Sequence, residues 1–587
     1  MKKKVDYLEN KYSELTFGKL LKKIFTYLKE DKKYIVLSFI LIILSAACEL
    51  SYPIMMKHFV NNLPLENSSL KLIIGFALGY LGLYLIGQIF LVIESRTMEK
   101  VGQNAIYKIR MEVFDHIQTL SYEQLNQIPV GSLVTRVANY TSSMSDLFTK
   151  VLLSLGKDII MAFLSVGLMF ILSVPLALYM LIFLFTVLVI SLVFAIKVKK
   201  IFDKDRSEVS SLNAFLNETL TGMKTIQTHN KEDLKKAEFD EHNNNLKKIR
   251  YNLCFAYTMY RPLVNFIYYL AIAFTFYIGI KISLKAGDVT AFYLSLSNFF
   301  NPVQRIADQL SNIQKAMTSS ERLFSLLDLK SEVVDYPDAL EIDNFKGKIE
   351  FKNVWFKYDE EWILKDVSFV INPKNSVAFV GATGSGKSTI LSLIVRNYDI
   401  QKGQILIDDI DIKKIKISSL RKNIGQMMQN VFLFNGTITE NITLHDNKFS
   451  FDEVKQSAFF VNADMVTDSF EDHYNHKLSD NGENLSTGQR QLISFARTVI
   501  HKPKVLILDE ATSSIDTETE NVIQQSLNNM KSIGTMIVVA HRLSTIEKSD
   551  CIYVLKNGEI VESGTHKELL SNQNVYYNLY KIQADTR

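Results

Sequence analysis

Apolar residues run almost unbroken through six stretches of the chain, at 34–59, 70–95, 151–173, 176–197, 256–283 and 289–312. A helix of about 20 such residues crosses a hydrocarbon core, so each stretch is long enough to span a membrane. The connections alternate between short and long. "SVP" alone separates the third stretch from the fourth, with Pro175 marking a tight turn, whereas the polar segment 198–255 separates the fourth from the fifth. Twelve Lys and Arg lie between Lys197 and Arg250 and none lies around Pro175, which puts the long connections in the cytosol. The pattern therefore predicts six spans with both termini cytosolic. Leu212, Phe215, Leu216 and Leu220 recur at helical spacing beyond the fourth stretch, so the spanning helices are expected to continue into the cytosol with a face that docks on something.

Past residue 325 the pattern changes. "KGKIEFKNVWFKY" opens a segment that alternates apolar, charged and Gly-bearing stretches as a soluble domain does, and 587 residues exceed what one core supports. The predicted organisation is a transmembrane domain over 1–325, a linker over 326–346 and a second domain over 347–587. The mean hydropathy of +0.07 averages these two classes. A net charge of +4 is accounted for by cytosolic loops and requires no nucleic-acid partner. Cys48, Cys254 and Cys551 are too scattered for a disulfide framework or a zinc site.

Smaller features refine the membrane half. "MKKKVDYLENKYSEL" carries acids and no apolar core, so it reads as neither a signal nor a transit peptide. Leu20, Leu21, Ile24, Phe25 and Leu28 then share one helical face with lysines opposite, which suits a helix in the membrane interface. Glu49 falls inside the first span, where a bare charge costs about 2.5–3.5 kcal/mol, so it is expected to face a cavity or a partner. Arg261, Arg305 and Asp308 read as structural pairs or interfacial residues, and none names a substrate.

The second domain holds legible chemistry. "SVAFVGATGSGKSTILSLIV" sets an apolar strand before a glycine-rich loop and a helix, the G-x-x-x-x-G-K-[ST] phosphate-binding pattern. Gly381, Gly384 and Gly386 let backbone N–H groups close on phosphate oxygens; Lys387 adds a positive charge, and Ser388 offers Mg²⁺ a hydroxyl. Ala382, Thr383, Ser385 and Thr389 complete the loop. A second strand, "KVLILDE", ends in Asp509, placed to hold Mg²⁺, and Glu510, placed to polarise an attacking water. His541, after "TMIVVAH", can donate to a γ-phosphate.

With these motifs in order, the chain resembles an ATP-binding cassette exporter half-transporter over nearly its whole length. The resemblance implies a membrane all-α six-helix exporter domain followed by an α/β P-loop NTPase domain, in the cytoplasmic membrane, with ATP and Mg²⁺ as cofactors. It gives Tyr358 an adenine-stacking role, Gln429 a metal-binding and coupling role, and "LSTGQ" (Leu485, Ser486, Thr487, Gly488, Gln489) the part of a signature that caps ATP held by the opposite subunit. It puts Asp516, ending "SSID", at the contact between subunits. A second half-transporter is thus an expected partner, beside membrane lipids and a small amphipathic substrate. The family's usual LSGGQ and SALD are here LSTGQ and SSID, and Asp480 stands where many members carry Glu. These departures resemble the catalytically intact subunit of heterodimeric bacterial multidrug exporters, so a heterodimer is favoured over a homodimer. A lipid flippase or peptide exporter shares the cassette chemistry, and a gated channel or regulatory sensor is the distant alternative.

Overall fold

The computed structural model describes residues 22–23, 25–62, 70–146, 152–342, 345–428, 431–509, 517–539 and 546–585. The chain forms two compact units, one of residues 1–119 and 128–329 and the other of residues 120–127 and 330–587.

The first unit is helical. Lys32–Asn62, Leu70–Thr119, Leu152–Leu172, Val174–Thr221, Glu232–Lys281 and Ala286–Leu327 are its long helices. Those of 48 and 50 residues run about 75 Å at 1.5 Å per residue, far beyond a hydrocarbon core of about 30 Å, so they continue well past any bilayer. Among the described residues, five helices are long and apolar enough to cross a membrane. The sixth predicted stretch, 289–312, lies in Ala286–Leu327 and falls short because Asn298, Asn301, Gln304 and Arg305 dilute it. That helix packs on Leu152–Leu172 and Lys32–Asn62 and buries Phe292, Leu296 and Phe300, so part of its surface faces protein instead of lipid.

The tight turn at Pro175 is present: Ser173 caps the helix Val174–Thr221, its side chain accepting from the Leu176 N–H. The predicted docking face is met within the same chain. Leu212, Phe215 and Leu216 are half-buried and Phe215 packs on Phe239 and His242, while Leu220 stays exposed. Of the expected interfacial helix, Leu20, Leu21 and Ile24 lie outside the described residues; Leu28 is buried, and Tyr27 stacks on Phe324 at 6.2 Å. Arg305 donates to Asp158 at 2.7 and 2.9 Å, and the side chain of Asp308 lies outside the described residues.

The second unit is built on two large sheets, beside a two-stranded one of β7 Gly436–Thr437 and β8 Lys477–Leu478. An antiparallel sheet has the order β2-β1-β4-β5, with β1 Ile349–Lys357, β2 Trp362–Ile371, β4 Lys402–Ile407 and β5 Ile410–Asp411. The larger sheet has the order β12-β11-β3-β10-β9-β6, formed by β3 Ser376–Gly381, β6 Ile424–Met427, β9 Val505–Asp509, β10 Thr535–Val539, β11 Cys551–Lys556 and β12 Glu559–Gly564. All its pairings are parallel except that of the edge strand β12. β3, β9 and β10 are apolar at nearly every position and buried on both faces, as a covered parallel sheet requires. One core lies between the sheets around Phe351, Phe369 and Phe379; another packs helices Phe451–Phe460 and Thr487–Ile500 on the sheet's far side.

A buried cation fixes the turn after helix Lys387–Ile394. Arg396, 1% exposed, donates to Asp399 (3.0 Å) and to the carbonyls of Val334 (3.0 Å) and Ile415 (3.3 Å). Arg421 donates to the carbonyls of Val395 and Arg396. Arg396→Leu would strand these acceptors and is expected to destabilise the second unit by about 3 kcal/mol. In a unit this large that lowers the melting temperature by about 6–10 °C, readable by fluorescence-monitored melting of the full chain in detergent. A melting temperature unchanged within 2 °C would show that the Arg396 bonds contribute nothing net.

Candidate nucleotide site

The site's geometry starts from β3, which delivers the chain to the carboxyl edge of the parallel sheet, where α/β folds place ligands. Phe379, Val539 and Asp509 lie in one row across β3, β10 and β9. The loop after β3 and the acid closing β9 therefore share that edge.

The chain turns from β3 into helix Lys387–Ile394 through glycines that no other residue replaces without strain. Gly384 has φ +83 and Gly386 has φ +103, in the region where a side chain crowds its own backbone. A Cβ at Gly386 would also meet Leu364 at 2.6 Å. The helix N-terminus and the loop N–H groups concentrate positive potential there.

Lys387 is buried and folds over the loop. Its ammonium donates to the carbonyls of Gly381 (2.8 Å) and Ala382 (2.9 Å), which satisfies a desolvated charge that would otherwise be costly. Burial pulls its pKa below the usual lysine range, opposed by the charge of Asp509. The ammonium is thus held within its own loop. Ser388 is exposed at the helix start and Asp509 half-buried at the strand end. A hydroxyl and a carboxylate are hard oxygen donors of the kind Mg²⁺ takes. Ala382 and Thr383 are exposed and Ser385 is buried, its hydroxyl without a hydrogen-bond partner among the described residues. Thr389 accepts from the Tyr358 hydroxyl at 3.2 Å, which brings the predicted base platform to the same helix. Tyr358 is 40% exposed and stands edge-on to Phe356 at 4.8 Å.

The signature segment stands elsewhere in the unit. Ser486 caps helix Thr487–Ile500 reciprocally with Gln489: the Gln489 N–H donates to Ser486 Oγ (3.2 Å) and the Ser486 N–H to Gln489 Oε1 (2.9 Å). Arg490 donates to the Thr487 hydroxyl at 3.2 Å. Leu485 and Gly488 are buried. The capping box is readable as S-x-x-Q in the sequence, although it gives this loop a structural reason to exist beside any ligand. Among the described residues no hydrogen bond or ring contact joins 485–489 to 381–389. Gln429, Glu510, Asp516 and His541 lie outside the described residues. Sequence reading missed Arg396 and Tyr398, which brace this site from behind and belong to no motif.

Lys387→Ala removes the one side-chain cation buried in the loop and with it the charge-assisted bonds a phosphate would receive. Binding of a fluorescent ATP analogue to the full chain is expected to weaken at least about a hundredfold. Affinity within threefold of the parent would remove Lys387 from the phosphate contacts.

Comparison with known proteins agrees with this geometry. Residues 35–303 match the ABC transporter transmembrane region and residues 364–513 the ABC transporter domain. The chain is 36% identical over 86% of its length to a probable multidrug resistance ABC transporter ATP-binding/permease protein of Bacillus subtilis, covering 76% of that protein. It is 33% identical over 83% of its length to an ATP-dependent lipid A-core flippase of Desulfotalea psychrophila, covering 86% of it. A solved bacterial Atm1-family ABC exporter with ATP bound superposes with a TM-score of 0.81 at 25% identity, over 94% of this chain and 98% of that one. A helical transmembrane unit joined in one chain to a nucleotide-binding unit of this design makes the protein a member of the ABC transporter family, an exporter that couples ATP hydrolysis to transport.

Proposed function

We propose that the chain is one half of a dimeric exporter that moves hydrophobic or amphipathic, drug-like small molecules across the cytoplasmic membrane by alternating access. The observation that carries this reading is a cavity of about 350 Å³ in the first unit, between helices Lys32–Asn62 and Leu70–Thr119. Tyr52, Tyr80, Tyr84 and Met55 give it apolar walls, and Glu49 and Lys157, 3.6 Å apart, give it charge. Such a mixed lining suits amphipathic molecules, and the volume lies at the small end of drug-sized sites. The multidrug name of the Bacillus subtilis relative supports the same class. Flipping of a lipid is the second reading, favoured by the name of the Desulfotalea psychrophila relative, but a whole lipid exceeds this volume.

In this reading residues 1–325 form the membrane domain, 326–346 the linker and 347–587 the cassette, with both termini cytosolic. Gly381 to Thr389 hold the triphosphate and Tyr358 stacks on adenine. Ser388, Gln429 and Asp509 would hold Mg²⁺, which when bound neutralises charge on the β- and γ-phosphates. Glu510 polarises the attacking water and His541 contacts the γ-phosphate. Residues 485–489 cap ATP on the opposing cassette, and Asp516 lies at that contact, so each ATP needs two polypeptides. ATP-driven closure then pulls on the long helices and turns the cavity outward. A swing from 1:99 to 99:1 takes about 5.5 kcal/mol of differential binding, which two nucleotide sandwiches can supply. The partner is a second half-transporter, with a heterodimer favoured by Thr487 in the signature.

Glu510→Gln is expected to keep ATP affinity within threefold while lowering turnover at least about a hundredfold; undiminished turnover would end the Glu510 assignment. The chain purified alone is expected to hydrolyse ATP weakly and to gain activity with its partner. Robust, cargo-stimulated ATPase from the single gene product in lipid would instead establish a homodimer.

A further inference from the structure

Residues 120–127 belong to the second unit although they lie in sequence between long helices of the first. Their helix, Tyr122–Gln127, is tied down by a side chain and by rings. Gln124, 2% exposed, donates to the Lys330 carbonyl at 2.9 Å and accepts from the Ser121 N–H at 3.0 Å. The ring of Tyr122 meets Tyr398 edge-on at 6.2 Å and 84°, and the Asn126 side chain hydrogen-bonds Tyr398.

Tyr398 faces two ways. On its other side it meets Tyr358 at 5.0 Å and 78° and Phe356 at 5.6 Å and 60°. Phe356 and Tyr358 stand at 90° to one another, so three rings form a closed edge-to-face cluster in which none turns without displacing the others. Tyr398 itself cannot drift. Its turn follows the helix that begins at Lys387 and is clamped by Arg396 and Arg421 through the backbone of 395–396 and the side chains of Asn397 and Asp399. Burial pushes the Tyr398 hydroxyl up to about 12, so it stays protonated at neutral pH.

We propose that Tyr398 is a positioning residue that sets the Tyr358 ring for base stacking and ties that pose to the seat of helix Tyr122–Gln127. This rests on Tyr358 being the adenine platform. One equilibrium then serves both: whatever steadies the base against Tyr358 steadies the helix on Tyr398, and whatever unseats the helix loosens the base, because coupling between two sites is reciprocal. The phosphates are bound by a separate loop, so the effect is confined to the base.

The test uses the full chain, with its partner where one is required, reconstituted in lipid. ATPase KM and kcat are measured beside inhibition by inorganic tripolyphosphate, which carries phosphates without a base. Tyr398→Leu removes two edge-to-face contacts on the platform side and is expected to raise the KM for ATP about tenfold, with kcat and the tripolyphosphate inhibition constant within twofold. Tyr398→Phe, which keeps the ring, is expected to restore the parent KM. Tyr122→Leu, outside the base site, is expected to raise KM about threefold by loosening Tyr398. Tyr358→Leu tests the platform itself: an unchanged KM there removes the premise. If Tyr358→Leu raises KM but Tyr398→Leu does not, the positioning role is wrong. If Tyr398→Leu weakens tripolyphosphate as much as ATP, Tyr398 merely supports the phosphate-loop helix. If Tyr122→Leu leaves KM unchanged while Tyr398→Leu raises it, the tie to helix Tyr122–Gln127 is wrong.

Discussion

In the proposed reading a concentrated anion charge is held by backbone N–H groups at the end of a buried strand, and the second unit is arranged around that constraint. The loop must turn through left-handed glycines, Gly384 and Gly386, before its helix starts. It must also stay folded without phosphate, which Lys387 achieves by bonding the loop's own carbonyls. β3 can present such a loop rigidly because it is buried between β10 and β11 with apolar residues on both faces. The Arg396 clamp holds the far end of the same helix. Strand, loop, helix and turn are therefore one continuous piece of chain with little freedom at any point.

That continuity explains what sequence reading reached. A phosphate loop is contiguous, so its strand, glycines and helix appear in reading order, and the strand ending at Asp509 is apolar enough to stand out. Six apolar stretches were visible for the same reason, as was the turn at Pro175, which became a Ser173 cap. The stretch 289–312 was less secure: its polar residues dilute it, and the burial of Phe292 and Phe300 that accounts for its apolar ones is a tertiary fact. Arg305 reads as a structural or interfacial residue in the sequence, but its partner, Asp158, lies 147 positions away where no local pattern points to it. Nor could local pattern show that 120–127 belongs with the second unit, or that Tyr398 joins it to Tyr358, since ring contacts across 40 to 276 positions leave no spacing rule to read.

The two units divide the work by the solvents they meet. Long helices carry a charged, tyrosine-lined cavity in the first, where Glu49 and Lys157 lower one another's cost of leaving water. The second holds the phosphate loop and, separately, a signature loop whose capping box leaves its helix N-terminus well formed without a ligand. Two binding surfaces that share no hydrogen bond among the described residues make a single chain an incomplete machine in this account, and nucleotide the material that completes it.

The most direct measurement places a photo-crosslinking side chain at the exposed Asn484, beside the signature, in membranes from cells making the chain with its natural partners and carrying Glu510→Gln. The account predicts an adduct to a second polypeptide that forms with ATP and is lost without it. An adduct indifferent to ATP, or one confined to a single polypeptide, would contradict it.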